Sequence, residues 1–290
     1  MSSYSGLSAP KKTNAKLKRS VFHVIIYVFC ILIALAAFYP FYTMLISSTH
    51  DSYNIVTKLN ILPGTSFVRN YERLTQNIDI WRGFLNSLLV TVVSVVLTLY
   101  FSAMTAYGFS KFQFRGRNAL FAVIVVAMML PGQLGIIGFY RLMGNFGLLN
   151  TYWPLIIPSI ANCGAVFFMK QYMDGALPSE IIEAAYVDGC REISIFHRMV
   201  LPLVKPALVT QGVMSFIGSW NSYMTPLIIL RDTDKMTLPL LVATVRDAMH
   251  AEYGAQFVGM LISVLPLVIL FAFSSRVIME EISLGAAVKG

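Results

Sequence analysis

Long apolar runs recur along the chain, and six of them are long enough to cross a lipid bilayer. A spanning helix needs about 20 mostly apolar residues, because the hydrocarbon core of a bilayer is roughly 30 Å thick. The six predicted spans are residues 21–46, 84–109, 118–140, 152–169, 207–230 and 257–273. This pattern predicts an all-α membrane protein with six transmembrane helices. The transmembrane domain takes up residues 21–277, between a basic tail at 1–20 and a C-terminal tail at 278–290.

The composition agrees with this interpretation. Of 290 residues, 57% are hydrophobic and 12% are charged, and the mean hydropathy is +0.68. A chain this apolar cannot bury its side chains in a single soluble core, and lipid must therefore act as its solvent. The formal net charge of +8 fits attraction to anionic lipid and control of topology. A nucleic-acid partner would need a folded basic domain, which the sequence lacks.

The first apolar run has two interpretations. Basic residues precede it, and Ala34-Leu35-Ala36 has the small-x-small form of a signal-peptide cleavage site. The run nevertheless continues past that site to Ile46 and is long enough to span the bilayer. We therefore expect a retained membrane anchor, with cleavage as the alternative.

Basic residues beside the spans predict an orientation in the membrane, because loops rich in Lys and Arg stay in the cytoplasm. The cytoplasmic set is Lys11, Lys12, Lys16, Lys18, Arg19, Lys111, Arg115, Arg117, Lys170, Arg191, Arg198, Lys205, Arg276 and Lys289. Both termini and the connection between the fourth and fifth spans are thus predicted to be cytoplasmic. Residues 51–82 and 231–256 are predicted to face outward.

The spans lack the groups that several transport and enzyme mechanisms need. No Asp, Glu, Lys or Arg lies at mid-membrane depth, although ion-coupled carriers commonly use such residues there. The chain has no phosphate-binding GxxxxGK[ST] motif, and its four histidines and three cysteines form no metal-ligand or nucleophile pattern. The sequence therefore predicts no catalytic residue, no metal site and no cofactor on this chain.

Prolines interrupt the third to fifth spans, at Pro131, Pro154, Pro158 and Pro226. Irregular backbone persists at membrane depth only where protein or a water-filled cavity covers it. These spans are therefore predicted to border a translocation path. Amides and aromatic faces along them suit an uncharged, polyhydroxylated solute, whereas ordinary hydrogen bonding between helices is the alternative. The candidate path residues are Gln133, Asn162, Trp220, Asn221 and Tyr223.

A charged segment at residues 179–202 lies between two apolar spans. Ser179 is predicted to cap a first helix, Gly189 to end it, and Pro202 to close a second helix at about residues 192–200. The segment is acidic and apolar, which favours docking to a basic partner surface. An amphipathic loop lying on the lipid surface is the alternative, but such helices are usually basic.

The same segment closely resembles the cytoplasmic EAA loop of ABC-importer permeases. Its motif reads Glu183-Ala184-Ala185, three residues, Gly189, nine residues and then Met199-Val200-Leu201-Pro202, where Met199 replaces the usual Ile. Further stretches resemble the carbohydrate-uptake branch, and within it the maltose-type or glycerol-phosphate-type second permease. They are Asn86-Ser87, residues 106–117 (AYGFSKFQFRGR), Trp220-Asn221, residues 237–240 (TLPL) and residues 285–290 (GAAVKG).

This resemblance implies one membrane subunit of a heteromeric importer in the bacterial cytoplasmic membrane. Its partners would be a second, homologous permease, two cytoplasmic ATPase subunits that hold ATP and Mg, and an extracytoplasmic solute-binding protein that delivers a carbohydrate. The implied ATPase-docking residues are Glu183, Ala184, Ala185, Asp188, Gly189, Leu201 and Pro202. The C-terminal Lys289 and Gly290 would also reach the ATPase, with a frayed terminus as the alternative.

Two other functions remain open from the sequence. An ABC importer for another solute class would carry the same EAA loop. An ion-coupled secondary carrier would show coupling acids in its spans and an internal repeat, and neither is evident. The carbohydrate itself is not identified, because specificity would be shared with the second permease and the binding protein.

Overall fold

The computed structural model describes residues 12–245 and 252–287, and within these ranges the chain is helical, with no β-strand. The α-helices are α1 (Lys12–Ser48), α2 (Ser52–Thr57), α3 (Phe67–Asn77), α4 (Ile80–Lys111), α5 (Arg117–Met129), α6 (Ile136–Asn145), α7 (Trp153–Ile156), α8 (Cys163–Ala176), α9 (Ser179–Val187), α10 (Glu192–Ile195), α11 (Leu201–Leu203), α12 (Lys205–Trp220), α13 (Met224–Ile229), α14 (Leu238–Thr244) and α15 (Tyr253–Ala287). The all-α fold class predicted from the apolar runs is thus confirmed.

Four helical stretches are long and apolar enough to cross a membrane: Phe22–Ser48, Ile80–Lys111, Trp153–Ala176 and Tyr253–Ser274. Two bent pairs bring the total to six within the described residues. Helix α5 meets the following stretch, Gly132–Asn145, at 89°, and the stretch Glu192–Leu203 meets α12 at 77°. The chain is therefore a multi-pass membrane protein.

The third and fifth predicted spans are broken, as their prolines indicate. Leu130 and Pro131 separate α5 from a 3₁₀ turn at Gly132–Gly135, because proline has no N–H to continue the helical ladder. The fifth span is less continuous than predicted: α12 ends at Trp220, and α13 begins only at Met224, two residues before Pro226.

Both terminal helices extend beyond the predicted spans. Helix α1 begins at Lys12, inside the predicted basic tail, and α15 continues to Ala287. The first three residues of the GAAVKG stretch, 285–287, are therefore helical. Lys289 and Gly290, predicted to contact an ATPase, lie outside the described residues.

Buried apolar side chains form two clusters, one toward each end of α4. The first joins the Lys111 end of α4 to α8 and to the 179–203 segment, and includes Met169, Ile182 and Phe196. The second joins the Ile80 end of α4 to α3, α14 and α15 around Trp220. Helix α4 runs between both clusters, and it is the element that connects them.

Candidate functional site

A cavity of about 1000 Å³ lies between α4, α12 and the irregular stretches that interrupt the neighbouring spans. One wall is the break between α5 and α6, another is the 3₁₀ turn at Ile157–Ala161, and a third is the break between α12 and α13. The proline-interrupted spans therefore do border a cavity, as the sequence predicts.

A row of hydroxyl side chains on α4 forms a further wall of the cavity. Ser87, Thr91, Ser94 and Thr98 are spaced by four, three and four residues, which places them on one helix face. All four are buried. The sequence interpretation noted only Ser87, although the spacing of serines and threonines near 3.5 residues would have revealed the row.

These hydroxyls hold the irregular segments against α4. The Ser87 Oγ accepts a hydrogen bond of 2.7 Å from the Leu238 backbone N–H, and the Thr98 hydroxyl donates one of 3.0 Å to the Ser159 carbonyl. Since unpaired backbone groups are costly away from water, the contacts stabilise the first turn of α14 and the turn at Ile157–Ala161. For polar residues in the spans, the sequence left open hydrogen bonding between helices as an alternative role. Ser87 has this role.

Four of the five predicted path residues line the cavity: Gln133, Asn162, Asn221 and Tyr223. All four are exposed. Asn162 also has a structural role, because its Oδ1 accepts a hydrogen bond of 2.9 Å from the Ala165 N–H and caps α8. Every residue in the lining is uncharged, so the cavity presents hydroxyl, amide and apolar groups to a solute.

Trp220, the fifth predicted path residue, does not line the cavity. Its side chain is only 1% exposed and stacks on Phe216, with ring centroids 5.6 Å apart. Its Nε1 donates a hydrogen bond of 2.9 Å to the Ser263 carbonyl on α15. A helix turns about 100° per residue, so Trp220 and its neighbour Asn221 face different surroundings.

The 179–203 segment forms two short helical arms joined by a tight turn. Helix α9 ends in a pair of backbone hydrogen bonds, from Gly189 to the Tyr186 carbonyl and from Cys190 to the Ala185 carbonyl. Gly189 has φ 73°, the left-handed conformation that this termination requires and glycine adopts at little cost. The predicted role of Gly189 as the helix stop is confirmed.

Two other local predictions about this segment are wrong. Ser179 is not the capping residue: the cap position is Pro178, without a side-chain bond, and the Ser179 Oγ instead receives a hydrogen bond of 3.3 Å from Lys111 Nζ. The second arm does not close at Pro202. It runs through α10, a π-helical turn at Phe196–Val200 and α11 to Leu203, because proline is tolerated in the first turn of a helix.

The inner face of the segment packs against α4 and α8. Ile182, Ala185, Ile195, Phe196 and Val200 are all buried there. Ala185 is therefore part of the core, although the resemblance implies it for docking. Its small side chain lets α9 approach its neighbours closely.

The outer face carries a combination of acidic and apolar groups that we call the docking surface, formed by Glu183, Ala184, Val187, Asp188 and Ile193. All five side chains are exposed, with Val187 at 88% and Ile193 at 74%. Ile193 was missed in the sequence because α10 is too short to show a periodic pattern. Among the other residues implied for docking, Gly189 and Pro202 are exposed and Leu201 is half-buried.

Polar contacts fix the two helical arms of the 179–203 segment to the end of α4. We call these arms, α9 and the stretch from α10 to α11, the docking arms. Lys111 Nζ donates to the Leu177 carbonyl just before α9. The carboxylate of Glu192 accepts hydrogen bonds from Tyr107 on α4, at 2.5 Å, and from Tyr186 on α9. The second of these bonds raises the pKa of Tyr186 above its ordinary value. Lys111, Tyr186 and Glu192 were not predicted as part of a site.

Comparison with known proteins identifies the class. Residues 98–282 match the family described as binding-protein-dependent transport system inner membrane component, so the chain belongs to that family. The match confirms the resemblance seen in the EAA motif.

Individual relatives are permeases of sugar transport systems. The chain is 34% identical to the arabinooligosaccharides transport system permease protein of Halalkalibacterium halodurans, over 89% of this chain and 93% of the relative. It is 31% identical to the lactose transport system permease protein of Rhizobium radiobacter, over 90% and 94% of the two chains. A bacterial ABC transporter that imports alginate has the same fold, with a TM-score of 0.77, 22% identity and coverage of 94% and 99%.

Gly189→Val should loosen the turn between the docking arms. A β-branched residue at φ 73° costs on the order of 1 to 3 kcal/mol, while a Cβ there meets no atom within 4 Å, so the cost comes from the backbone alone. Hydrogen exchange of the amides in residues 179–203 should accelerate. Gly189→Asn is the control, because asparagine tolerates this conformation and should keep most protection. Native protection in the valine variant would contradict the assigned turn.

Proposed function

We propose that this chain forms one half of the translocation path of an ATP-driven ABC importer for a carbohydrate. A solute-binding protein delivers the sugar, and the 179–203 segment transmits the ATPase cycle to the path. The observation that carries the proposal is the pairing of an uncharged cavity along α4 with an exposed acidic and apolar surface bonded to the end of that same helix.

The cavity chemistry supports a neutral oligosaccharide as the substrate. Sugars offer hydroxyl groups that pair with hydroxyl and amide side chains, and these line the cavity together with apolar groups. The two permeases named above belong to transport systems for arabinooligosaccharides and for lactose. The transporter of the same fold imports the acidic polysaccharide alginate, so a charged glycan met by the second permease is the alternative within the carbohydrates. A substrate of another solute class is the alternative function.

The exposed surfaces support the proposed assembly. Leu134 and Ile137 beside the break in the third span and Met214 on the cavity wall are all strongly exposed, which suits contact with a second, homologous permease. The docking surface suits one of two ATPase subunits, which hold ATP and Mg. We keep the predicted contact of Lys289 and Gly290 with the ATPase as part of this proposal.

The contacts between connections support the predicted orientation. Lys111, in the connection between the second and third spans, bonds to Leu177 in the connection between the fourth and fifth. Asn150, between the third and fourth spans, bonds to Asp232, between the fifth and sixth, at 2.6 Å. The connections predicted to be cytoplasmic therefore meet at one end of the bundle and the outward ones at the other. We propose that the docking surface and both termini lie in the cytoplasm.

Charge reversal on the docking surface tests the coupling role. Glu183→Lys places an ammonium against the basic or hydrogen-bonding groups expected on the ATPase, at a cost of several kcal/mol if the contact excludes water. Co-purification of the ATPase should weaken roughly tenfold or more, since about 1.4 kcal/mol corresponds to tenfold. ATP hydrolysis stimulated by the sugar-loaded binding protein should fall with it.

Glu72→Lys is the matched control, because Glu72 is exposed on α3 at the opposite end of the bundle. It should leave ATPase co-purification unchanged. Full co-purification and stimulation with Glu183→Lys would contradict docking. If a binding protein loaded with neutral oligosaccharides never stimulates the wild-type complex, the substrate class is wrong.

Cysteine labelling tests the orientation. In a background with Cys30, Cys163 and Cys190 replaced by serine, Thr233→Cys should react with an impermeant thiol reagent added to sealed cells. Gln113→Cys should react only after the membrane is opened. Both positions are exposed, so accessibility reports the side of the membrane. Labelling of Gln113→Cys in sealed cells would reverse the topology.

A further inference from the structure

Glu192 bonds two different elements with one carboxylate. It is the first residue of α10, directly after the turn that joins the docking arms. One oxygen accepts from the Tyr107 hydroxyl at 2.5 Å and the other from the Tyr186 hydroxyl. Tyr107 lies 85 positions earlier in the chain, on α4, while Tyr186 lies on α9 between Ala185 and Val187. The carboxylate thus joins both docking arms to α4.

The surroundings of this contact make it directional. Tyr107 is only 3% exposed, and its ring packs against Phe196 and Phe112 with centroids 5.8 and 5.5 Å away. The ring is held in place, so the direction of its hydroxyl is set. Hydrogen bonds to an ionised carboxylate are about twice as strong as neutral ones, whereas the apolar packing around them has no preferred direction.

Helix α4 connects this contact to the cavity wall. Tyr107 is nine residues from Thr98, the nearest member of the hydroxyl row, which is about 14 Å along the helix axis. A continuous α-helix separates the two, with no proline or break. A shift of the docking arms held by Glu192 is therefore passed to the wall that faces the solute.

We propose that Glu192 is a positioning residue for transport, which with Tyr107 and Tyr186 locks the docking arms to α4 so that ATPase movement reaches the cavity wall. This inference rests on the proposed function. It assigns to Glu192 a role separate from docking, since the Glu192 carboxylate faces other elements of this chain and its side chain is half-buried.

The test uses the whole complex, reconstituted with its ATPase and sugar-loaded binding protein. Tyr107→Phe, Tyr186→Phe and Glu192→Gln each remove or weaken one part of the contact and keep side-chain shape. ATPase co-purification and unstimulated hydrolysis should stay at wild-type levels. The number of sugar molecules imported per ATP hydrolysed should fall about tenfold or more, the range expected for loss of a hydrogen bond to a charged group.

The readouts separate positioning from general stabilisation. Because the residues act together, Tyr107→Phe should add little when Glu192→Gln is already present. Tyr100→Phe is the control: its hydroxyl makes a longer contact, 3.3 Å to His197 Nε2, from the same helix to the same segment, and it should leave the transport ratio unchanged. Tyr186→Phe alters an exposed side chain, so it remains informative if Tyr107→Phe fails to fold.

The outcomes are distinct. An unchanged sugar-to-ATP ratio in Tyr186→Phe and Glu192→Gln would overturn the inference, even if thermal stability dropped. A lower sugar-to-ATP ratio with retained ATPase co-purification supports the inference. Failure of the wild-type chain to bind the ATPase would instead refute the proposed function and leave the Glu192 contact without this role.

Discussion

The hydrogen-bonding requirement of broken backbone inside a membrane protein is the constraint on which this structure depends. Three spans around the cavity are interrupted, and polar backbone groups at such breaks need partners. Helix α4 is continuous over 32 residues, about 48 Å, and supplies some of these partners. Thr98 donates to the turn at Ile157–Ala161, and Ser87 accepts from the N–H of Leu238, the first residue of α14. One straight helix therefore stabilises irregular backbone on one side of the cavity and the start of α14.

The same helix also ends in the contacts that hold the docking arms. Lys111 bonds to the residue that leads into α9, and Tyr107 bonds to the start of α10. The inner apolar cluster fills the space between them. The cavity wall and the docking surface are thus attached to a single rigid element, which is the property an energy-coupled permease needs.

Much of this arrangement was predictable from the sequence. Runs of about 20 apolar residues identify spans because a bilayer has a fixed thickness, and Gly189 identifies a turn because few other residues adopt φ 73°. Pro131 and Pro226 indicated where spans break. These features depend on local chemistry or on length, and both are visible in one chain.

What was not predictable depends on which groups meet in space. The Tyr107 and Glu192 contact joins positions 85 residues apart, and no local pattern indicates it. Trp220 and Asn221 are neighbours in sequence, but helix geometry sends one to the core and the other to the cavity. Ser179 has a side chain that commonly caps helices, yet its hydroxyl accepts a hydrogen bond from Lys111. In each case the contacts of the side chain depend on tertiary packing, which the local sequence does not specify.

The most direct test of the central claim is a distance measurement between the docking arms and α4 in the assembled complex. In a background with Cys30 and Cys163 replaced by serine, spin labels at Cys190, native and exposed, and at Val96→Cys, exposed on α4, would be measured by double electron–electron resonance. The measurement is made without nucleotide and again after trapping with ATP and vanadate, with the trap verified by loss of hydrolysis. Because the arms and α4 form one body, we predict the same distance distribution in both states. A shift or broadening on trapping would show that the arms move independently of α4 and would contradict the claim.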